Sequence, residues 1–533
     1  MKLLPTGRQN FEDVIKENLL YVDKTRQVFE LLRQGRLYFL SRPRRFGKSL
    51  LVSLFRHLFL GNRDVFKDLY IGLHTDYDFV EYPVLQFNFA DFGLKTKNLE
   101  EELELVIQGY AAEFGVDIET SSIATQFRTL IQNISRSRGK PVALLIDEYD
   151  KPIIDFLTEV DKAEANQQIL RQLFGPLKGL EAAGHLRFLF ITGVSKFSKV
   201  SLFSDLNNLT DLSIHSLSHD LLGITQAELT YYFGEYMDQA ASKYELTREG
   251  LTEAIKNWYN GYSYDGKTRL HNPFSLLQFF QNQQFGNYWF ATGTPTFLVE
   301  TIRNRGIHPQ EFEAVVLDEN FLNRFSLLDL NMTGLLFQTG YLTIQQVEAS
   351  IYETTYHLGY PNYEVRHSMM HNMVEAFTYQ PASLVSQSLI EMRNGLRQGN
   401  IHLFMEALRV ILSDLKYNWQ PPKQYKSEDE LLKMWEGYFH AVLYLITAYM
   451  DMSVRAELAH HKGRIDLVAT TNDFVYLMEF KMESSARAAL AQIKDREYAL
   501  PFKNSPQRVF LVGINFSNEE RNLESWEAEE WKD

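Results

Sequence analysis

Cysteine is absent from all 533 residues. That excludes disulfides, thiolate-held zinc and cysteine nucleophiles, and it fits a reducing compartment. Long apolar runs are also missing: the longest, Tyr438 to Met450, falls short of the ~20 residues a bilayer span needs. The opening residues, Met1-Lys2-Leu3-Leu4-Pro5-Thr6-Gly7-Arg8, hold no apolar stretch of signal-peptide length. The expectation is a cytoplasmic protein without a membrane partner. Positive charge is in deficit too. A net charge of −14 argues against a broad nucleic-acid-coating surface while leaving room for a small basic groove. The acids crowd the end of the chain, at Glu519, Glu520, Glu524, Glu527, Glu529, Glu530 and Asp533, and this run is expected to be a solvated tail. No internal repeat or low-complexity tract is found.

What is present is enough hydrophobic residue, 45% of the chain, for about three folding units at ~100–200 residues each. The first part alternates strand and helix patterns. Strands are expected at 36–41, 84–89, 142–146 and 188–192, and helices at 48–60, 99–114 and 123–135. Strands alternating with helices imply a parallel α/β sheet. From 213 to 365 aromatics and turn dipeptides dominate, as in Trp258-Tyr259-Asn260-Gly261-Tyr262. A helical stretch from Met369 to about Tyr417 follows. Pro421-Pro422-Lys423 opens a polar break that reads as a linker, and a final small α/β unit starts near Leu431.

Arg42-Pro43-Arg44-Arg45-Phe46-Gly47-Lys48-Ser49 sits between an expected strand and an expected helix, which is the setting of a Walker A phosphate loop. Backbone N–H groups at a helix N-terminus hold phosphate, so Arg44, Arg45, Phe46, Gly47, Lys48 and Ser49 are the nucleotide-binding candidates. Lys48 would reach the β- and γ-phosphates, and Ser49 would ligate Mg²⁺. The usual leading glycine is replaced by Arg42, and three arginines in so short a loop suit an anion. About a hundred residues on, Val142-Ala143-Leu144-Leu145-Ile146-Asp147-Glu148 has the Walker B pattern. Asp147 would join the Mg²⁺ shell, and Glu148 would polarise the attacking water. The strand Phe188–Thr192, placed between the two Walker strands, would offer Thr192 or Ser195 to orient that water; a simple strand-end cap is the alternative. Asn272-Pro273 is either a lid turn near the adenine or an ordinary helix start with proline at its first position.

Near the C-terminus, Lys462-Gly463-Arg464-Ile465-Asp466-Leu467-Val468 precedes Phe474-Val475-Tyr476-Leu477-Met478-Glu479-Phe480-Lys481. Two residues apart on a strand, Glu479 and Lys481 share a face. A two-residue turn at Asn472-Asp473 pairs Thr471 with Phe474 and brings Asp466 opposite Glu479, ~5 Å apart at Cβ. That separation suits one Mg²⁺, with Lys481 positioning water or stabilising phosphorane charge. The spacing resembles the core of PD-(D/E)XK nucleases. That resemblance implies a further metal-facing acid, Glu436, on the preceding helix. It also implies a Gln…Tyr signature, here Gln492 and Tyr498 at altered spacing. The competing reading is an exposed hairpin that merely carries charge. His460 and His461 read as loop residues rather than ligands.

The segments Tyr21-Val22-Asp23-Lys24-Thr25, SRPRRFGKSLL, VALLIDEYDKP and FITGVSKFS, with NWYNGYSYDG, NPFSLL, NYWFATGTPTFL and LLFQTGYLTI further on, resemble the predicted AAA-ATPase-like family of bacterial proteins. Members often end in a PD-(D/E)XK domain, and Arg42 is similar to the family's own pattern. The implied fold is α/β: a P-loop NTPase parallel sheet with helices on both faces, a mainly helical middle or lid region, and a small C-terminal α/β PD-(D/E)XK-like domain. The expected boundaries are 1–212, 213–368, 369–430 for a connector and linker, and 431–533. Function divides two ways. Either ATP, with Mg²⁺, drives a Mg²⁺-dependent nuclease acting on DNA or RNA through the catalytic set Glu148, Asp466, Glu479 and Lys481, or ATP switches a scaffold or sensor whose nuclease-like domain binds without cutting. Ser49, Asp147, Glu436, Asp466 and Glu479 are the metal candidates. A homo-oligomer stays open, and no single arginine stands out as a finger.

Overall fold

The computed structural model describes residues 1–94, 96–119, 121–196, 203, 206, 208–290, 296–318, 331–415, 428–450, 453–460 and 463–532. The expected linker at Pro421-Pro422-Lys423 and His461 lie outside these residues. The chain forms two compact units. One comprises 1–292 with 314–365, the other 293–313 with 366–533.

The first unit is built on five parallel strands: β1 (Leu37–Ser41), β2 (Val84–Asn88), β3 (Val142–Asp147), β4 (Leu186–Gly193) and β5 (Thr210–Asp211). Their order is β2-β3-β4-β1-β5, so β4 lies between β1 and β3. Every residue of β1 and β3 is buried, which is why these strands read as continuous apolar runs rather than alternating ones. Both sheet faces are covered. Leu189 and Ile191 of β4 join Leu144, Ile146 and Phe39 in a core shared with the helices Leu99–Phe114 and Ile123–Arg138. Phe188 and Phe190, one residue out of phase with Leu189 and Ile191, pack on the helix Lys48–Phe59, both against Phe55 and Phe188 also against Phe59. Strand alternation therefore fixes which helix covers which face.

The rest of this unit is mainly helical. Helices between Gln226 and Asn282 close an aromatic-rich core around Phe233, Tyr259 and Phe279. A two-residue pair, β6 (Ile224–Thr225) with β7 (Leu270–His271), ties its ends. A three-stranded antiparallel sheet, β8 (Val315–Asp318), β9 (Thr343–Ala349) and β10 (Thr354–Gly359) in the order β8-β10-β9, was not foreseen.

The second unit packs helices, including Ala382–Arg397, Ile401–Ile411 and Glu428–Tyr449, with a five-stranded sheet. Its strands are β11 (Ser453–His460), β12 (Gly463–Thr470), β13 (Phe474–Met482), β14 (Arg508–Ser517) and β15 (Asn522–Glu530), in sequence order. Only β13 and β14 run parallel, joined by the crossover helix Ala486–Asp495. That helix lies close on the sheet: a Cβ at Gly513 would stand 2.1 Å from the Ala486 carbonyl oxygen.

Two expectations are corrected here. The acidic run is solvated, with Glu519, Glu520, Glu524 and Glu527 exposed, but it is not a tail, because Glu524, Glu527, Glu529 and Glu530 lie on the edge strand β15. Its charges are answered locally. Arg508 forks onto Glu530 at 2.9 and 2.8 Å, Lys494 meets Glu529 at 2.7 Å, and Asn515 donates to Glu524. Charge on an edge strand also discourages pairing with other chains. His460 is the last residue of β11, opposite Gly463, and not a loop residue. Among the described residues no helix is long and apolar enough to cross a membrane.

Candidate functional site

The segment after β1 must turn sharply into a helix, and two residues take left-handed backbone to do so, Arg45 at φ 64° and Gly47 at φ 94°. Glycine bears that conformation without strain; as the residue before the helix Lys48–Phe59 it leaves the first N–H groups facing the loop. Lys48 is 5% exposed. Its Nζ donates to the carbonyls of Arg42 at 3.0 Å and Pro43 at 2.9 Å, so the loop closes around its own lysine.

The arginines divide their work, and only Arg44 is exposed. Arg42 is turned away from the loop. It is 1% exposed, donates to the carbonyls of Ser213 at 2.7 Å and Ser218 at 2.8 Å, and stacks on Tyr264 at 3.6 Å. This replaces the expectation that all three suit an anion: the arginine in the usual glycine position is a packing residue. Arg45 lies over Phe274 at 3.8 Å, and Phe46 is buried against Tyr262.

Parallel pairing sets the ends of β3 and β4 side by side, with Ile146 beside Ile191. The next residues meet: the Thr192 hydroxyl donates to Asp147 Oδ1. Asp147 also accepts the Glu148 N–H at 3.1 Å, and Glu148 adopts φ 52°, a conformation unusual for a residue with a side chain. Burial pushes the Glu148 carboxyl up, with Lys48 opposing. Burial likewise lowers Lys48, while Glu148, Asp147 and Asp150 favour its charge. Ser195 has a different partner from Thr192. Its hydroxyl and amide donate to Asp150 at 2.7 and 2.6 Å, and the Val194 amide joins them at 3.0 Å. Asp150 therefore pins the β4 end to the loop after β3, and its acceptor positions are taken.

Beside Gly47 opens an apolar pocket lined by Leu20 and Val22, by Phe46, Leu50 and Leu51, and by Leu222, Pro273 and Leu277. Asn272 caps its helix by accepting from the amides of Phe274 and Ser275 at 3.0 and 3.1 Å. The turn at 272–273 is thus both a helix start and part of this wall. The Tyr21-Val22-Asp23-Lys24-Thr25 segment closes the other side. Asp23 accepts the amides of Thr25 at 2.8 Å and Tyr70 at 2.7 Å, and Lys24 pairs with Glu228 at 2.6 Å.

In the second unit, β12 and β13 pair as Thr470 with Val475 through Leu467 with Met478. That is the register of the two-residue turn, and its next step sets Asp466 across from Glu479. Asp466 Oδ2 accepts the Phe480 N–H at 2.7 Å. Glu479 is 2% exposed. Its Oε1 takes the Gln492 amide and lies 3.5 Å from Lys481 Nζ; its Oε2 is buried without a hydrogen-bond partner among the described residues. Burial, and then Asp466, push the Glu479 carboxyl up to about 7. Tyr498 donates to the Arg464 carbonyl at 2.8 Å. Glu436 lines a pocket with Asp466, His440, Lys433, His308 and Gln310. His440 Nε2 is 3.8 Å from Asp466 Oδ2. Sequence reasoning missed His440, although its spacing of four from Glu436 on one helix signals a shared face.

Among the described residues no three His, Asp or Glu side chains gather as a ready-made metal group. Magnesium needs less, commonly one or two carboxylates with water and substrate phosphate. The hard oxygen donors of Asp466 and the partnerless Glu479 Oε2 fit that demand. In the first unit Ser49, the second residue of the helix Lys48–Phe59, and Asp147, the last residue of β3, offer oxygen donors of the same kind.

A parallel sheet in this order, with a glycine-capped lysine loop on β1 and an acid at the end of β3, defines the first unit as a P-loop ATPase-like fold. A mixed sheet bearing Asp466, Glu479 and Lys481 defines the C-terminal fold as nuclease-like. The chain belongs to the predicted AAA-ATPase-like family and ends in a PD-(D/E)XK nuclease-superfamily domain. The family model described as "Predicted AAA-ATPase" matches residues 5–203, and "PD-(D/E)XK nuclease superfamily" matches 434–526. The chain is 35% identical over 528 residues to "Uncharacterized protein in vnfD 5'region" of Azotobacter chroococcum mcd 1, covering 98% of each. No solved structure matches.

Proposed function

We propose that the chain binds and hydrolyses ATP at the Gly47–Ser49 loop, and that this ATPase controls a nuclease-like site acting on nucleic acid. The observation that carries the reading is the convergence of Lys48, Asp147, Glu148 and Thr192 at the ends of adjacent parallel strands. Backbone N–H groups and Lys48 would take the phosphates, with adenine in the apolar pocket beside Gly47. Glu148, its carboxyl raised by burial, would accept the proton of an attacking water. Mg²⁺, held by Ser49 and Asp147 in one site and by Asp466 and Glu479 with Glu436 nearby in the other, would supply positive charge to phosphate oxygens. Gln492 orients Glu479, and Lys481 supplies positive charge beside it. By sequence the chain would divide into regions 1–212, 213–368, 369–430 and 431–533, while 293–313 and the residues from 366 onward pack in the second compact unit.

The missing third metal ligand among the described residues, with the net charge of −14, favours a second reading. In that reading the C-terminal domain binds without cutting, and ATP switches a scaffold. Plasmid nicking with Mg²⁺ or Mn²⁺, with and without ATP, separates the two. Cleavage that disappears in Asp466→Ala while the fold survives supports the nuclease. No cleavage of DNA or RNA by wild-type protein that hydrolyses ATP supports the scaffold.

A further inference from the structure

The middle region grips the phosphate loop residue by residue. Gly340 lies so close to Pro43 that a Cβ there would meet its ring at 2.6 Å. Trp289 Nε1 donates to the Arg44 carbonyl at 3.1 Å. Arg45 lies over Phe274, and Phe46 packs on Tyr262. Among these grips stands one carboxylate, Glu364, 0% exposed. Its Oε1 accepts the Trp289 N–H at 2.8 Å. Its Oε2 and Arg45 Nη1 are both buried without a hydrogen-bond partner among the described residues. Glu364 and Arg45 feel each other's charge without forming a direct pair. The Ser275 side chain and the Tyr288 amide also favour the charge on Glu364, but a fully buried carboxylate with one oxygen left unpartnered among the described residues is costly, so its place beside the loop calls for a role. Neither family match reaches residue 364.

On this geometry we propose that Glu364 is a positioning residue for Arg45, holding that guanidinium back from the phosphate site until a γ-phosphate draws it in, so that Trp289 and Glu364 register whether ATP or ADP is bound. The proposal rests on the ATPase reading. The chemistry is a choice between two anions: with triphosphate in the loop, Arg45 would gain a bidentate acceptor, and without it Glu364 is the opposing charge that acts on it. Glu364 is also the second residue of the helix Tyr363–Thr378. The turns of that helix from Arg366 onward belong to the second unit.

Trp289 supplies the readout, since its indole holds the loop and its amide holds Glu364. In wild-type protein, tryptophan emission with the non-hydrolysable analogue adenylyl imidodiphosphate should differ from emission with ADP, and Trp289→Phe should remove the difference. Glu364→Gln keeps the oxygen that accepts the Trp289 amide but loses the charge. It should erase the emission difference and lower kcat about tenfold with KM for ATP within about threefold. Arg45→Lys, which keeps charge but not the planar fork, should do the same, and the double variant should be no worse than either single one. The proposal is overturned if Glu364→Gln, or Arg45→Lys should the former not fold, retains the wild-type kcat and the full emission difference. Wild-type protein that fails to bind either nucleotide overturns the ATPase reading itself, and the proposal with it.

Discussion

Single residues decide the chemistry, and their neighbours show which can act. Asp150 is as acidic as Glu148 and only two positions away, but its oxygens are held by the amides of Val194 and Ser195 and the Ser195 hydroxyl. Glu148→Gln should therefore leave ATP binding intact and cut turnover by ~10²–10⁴. Wild-type hydrolysis by that variant would remove Glu148 from the role of base. A second residue-scale effect concerns Glu364, whose carboxyl burial raises from an ordinary 4.5 to about 7, outweighing the Trp289 amide, Ser275, the Tyr288 amide and Arg45. Between those values the folded protein keeps a proton that the unfolded chain releases. The native state binds more protons there, so the nucleotide-free protein should lose stability as pH rises from about 4.5 to 7. Glu364→Gln should flatten that part of the melting-temperature profile; equal slopes in the two proteins would count against a raised Glu364. The partners of Asp150 and Glu364 were not legible in the sequence. Asp150 meets partners 44 and 45 residues away, Glu364 meets Trp289 across 75, and such pairings leave no local pattern.

At the scale of elements, legibility followed burial. Strands β1, β3 and β4 are covered on both faces, so they announce themselves as unbroken apolar runs, and the helix Leu99–Phe114 falls where its periodicity places it. The β12–β13 hairpin was legible because a two-residue turn fixes register and period-two alternation then fixes faces. Strand β15 was hidden by its glutamates, whose compensating charges come from Arg508 on β14 and from Lys494 on the crossover helix. The sheet β8-β10-β9 was hidden because β9 (Thr343–Ala349) mixes glutamines and a glutamate with few apolar residues and is largely open to solvent beyond its first two positions. The crossover helix offers an element-scale test. Gly513→Ala would drive a methyl group into the backbone at Ala486 and Leu490. Overpacking of this kind costs ~1–3 kcal/mol and should lower the melting temperature. It should also loosen Gln492 from Glu479, so any metal-dependent cleavage should fall with it. A variant that melts at the wild-type temperature would mean that the helix is not held down at that point.

The whole molecule should respond to nucleotide as a folding unit. A ligand at ~100 times its Kd stabilises the native state by about 2.7 kcal/mol, so saturating ATP with Mg²⁺ should raise the melting temperature. Lys48→Ala removes the buried counter-charge and should abolish the rise. A rise that persists would place the nucleotide elsewhere.

The route of the chain adds a consequence for how this architecture is inherited. The backbone changes unit after Thr292, again after Glu313 and again after Val365. The short excursion 293–313 brings the helix Thr296–Asn304 and the turn Pro309–Phe312 to the second unit, with His308 and Gln310 on the pocket around Asp466. A recombination breakpoint at 366 would leave that pocket wall behind. A fragment that starts at 366 should therefore lack part of its own site even where it folds.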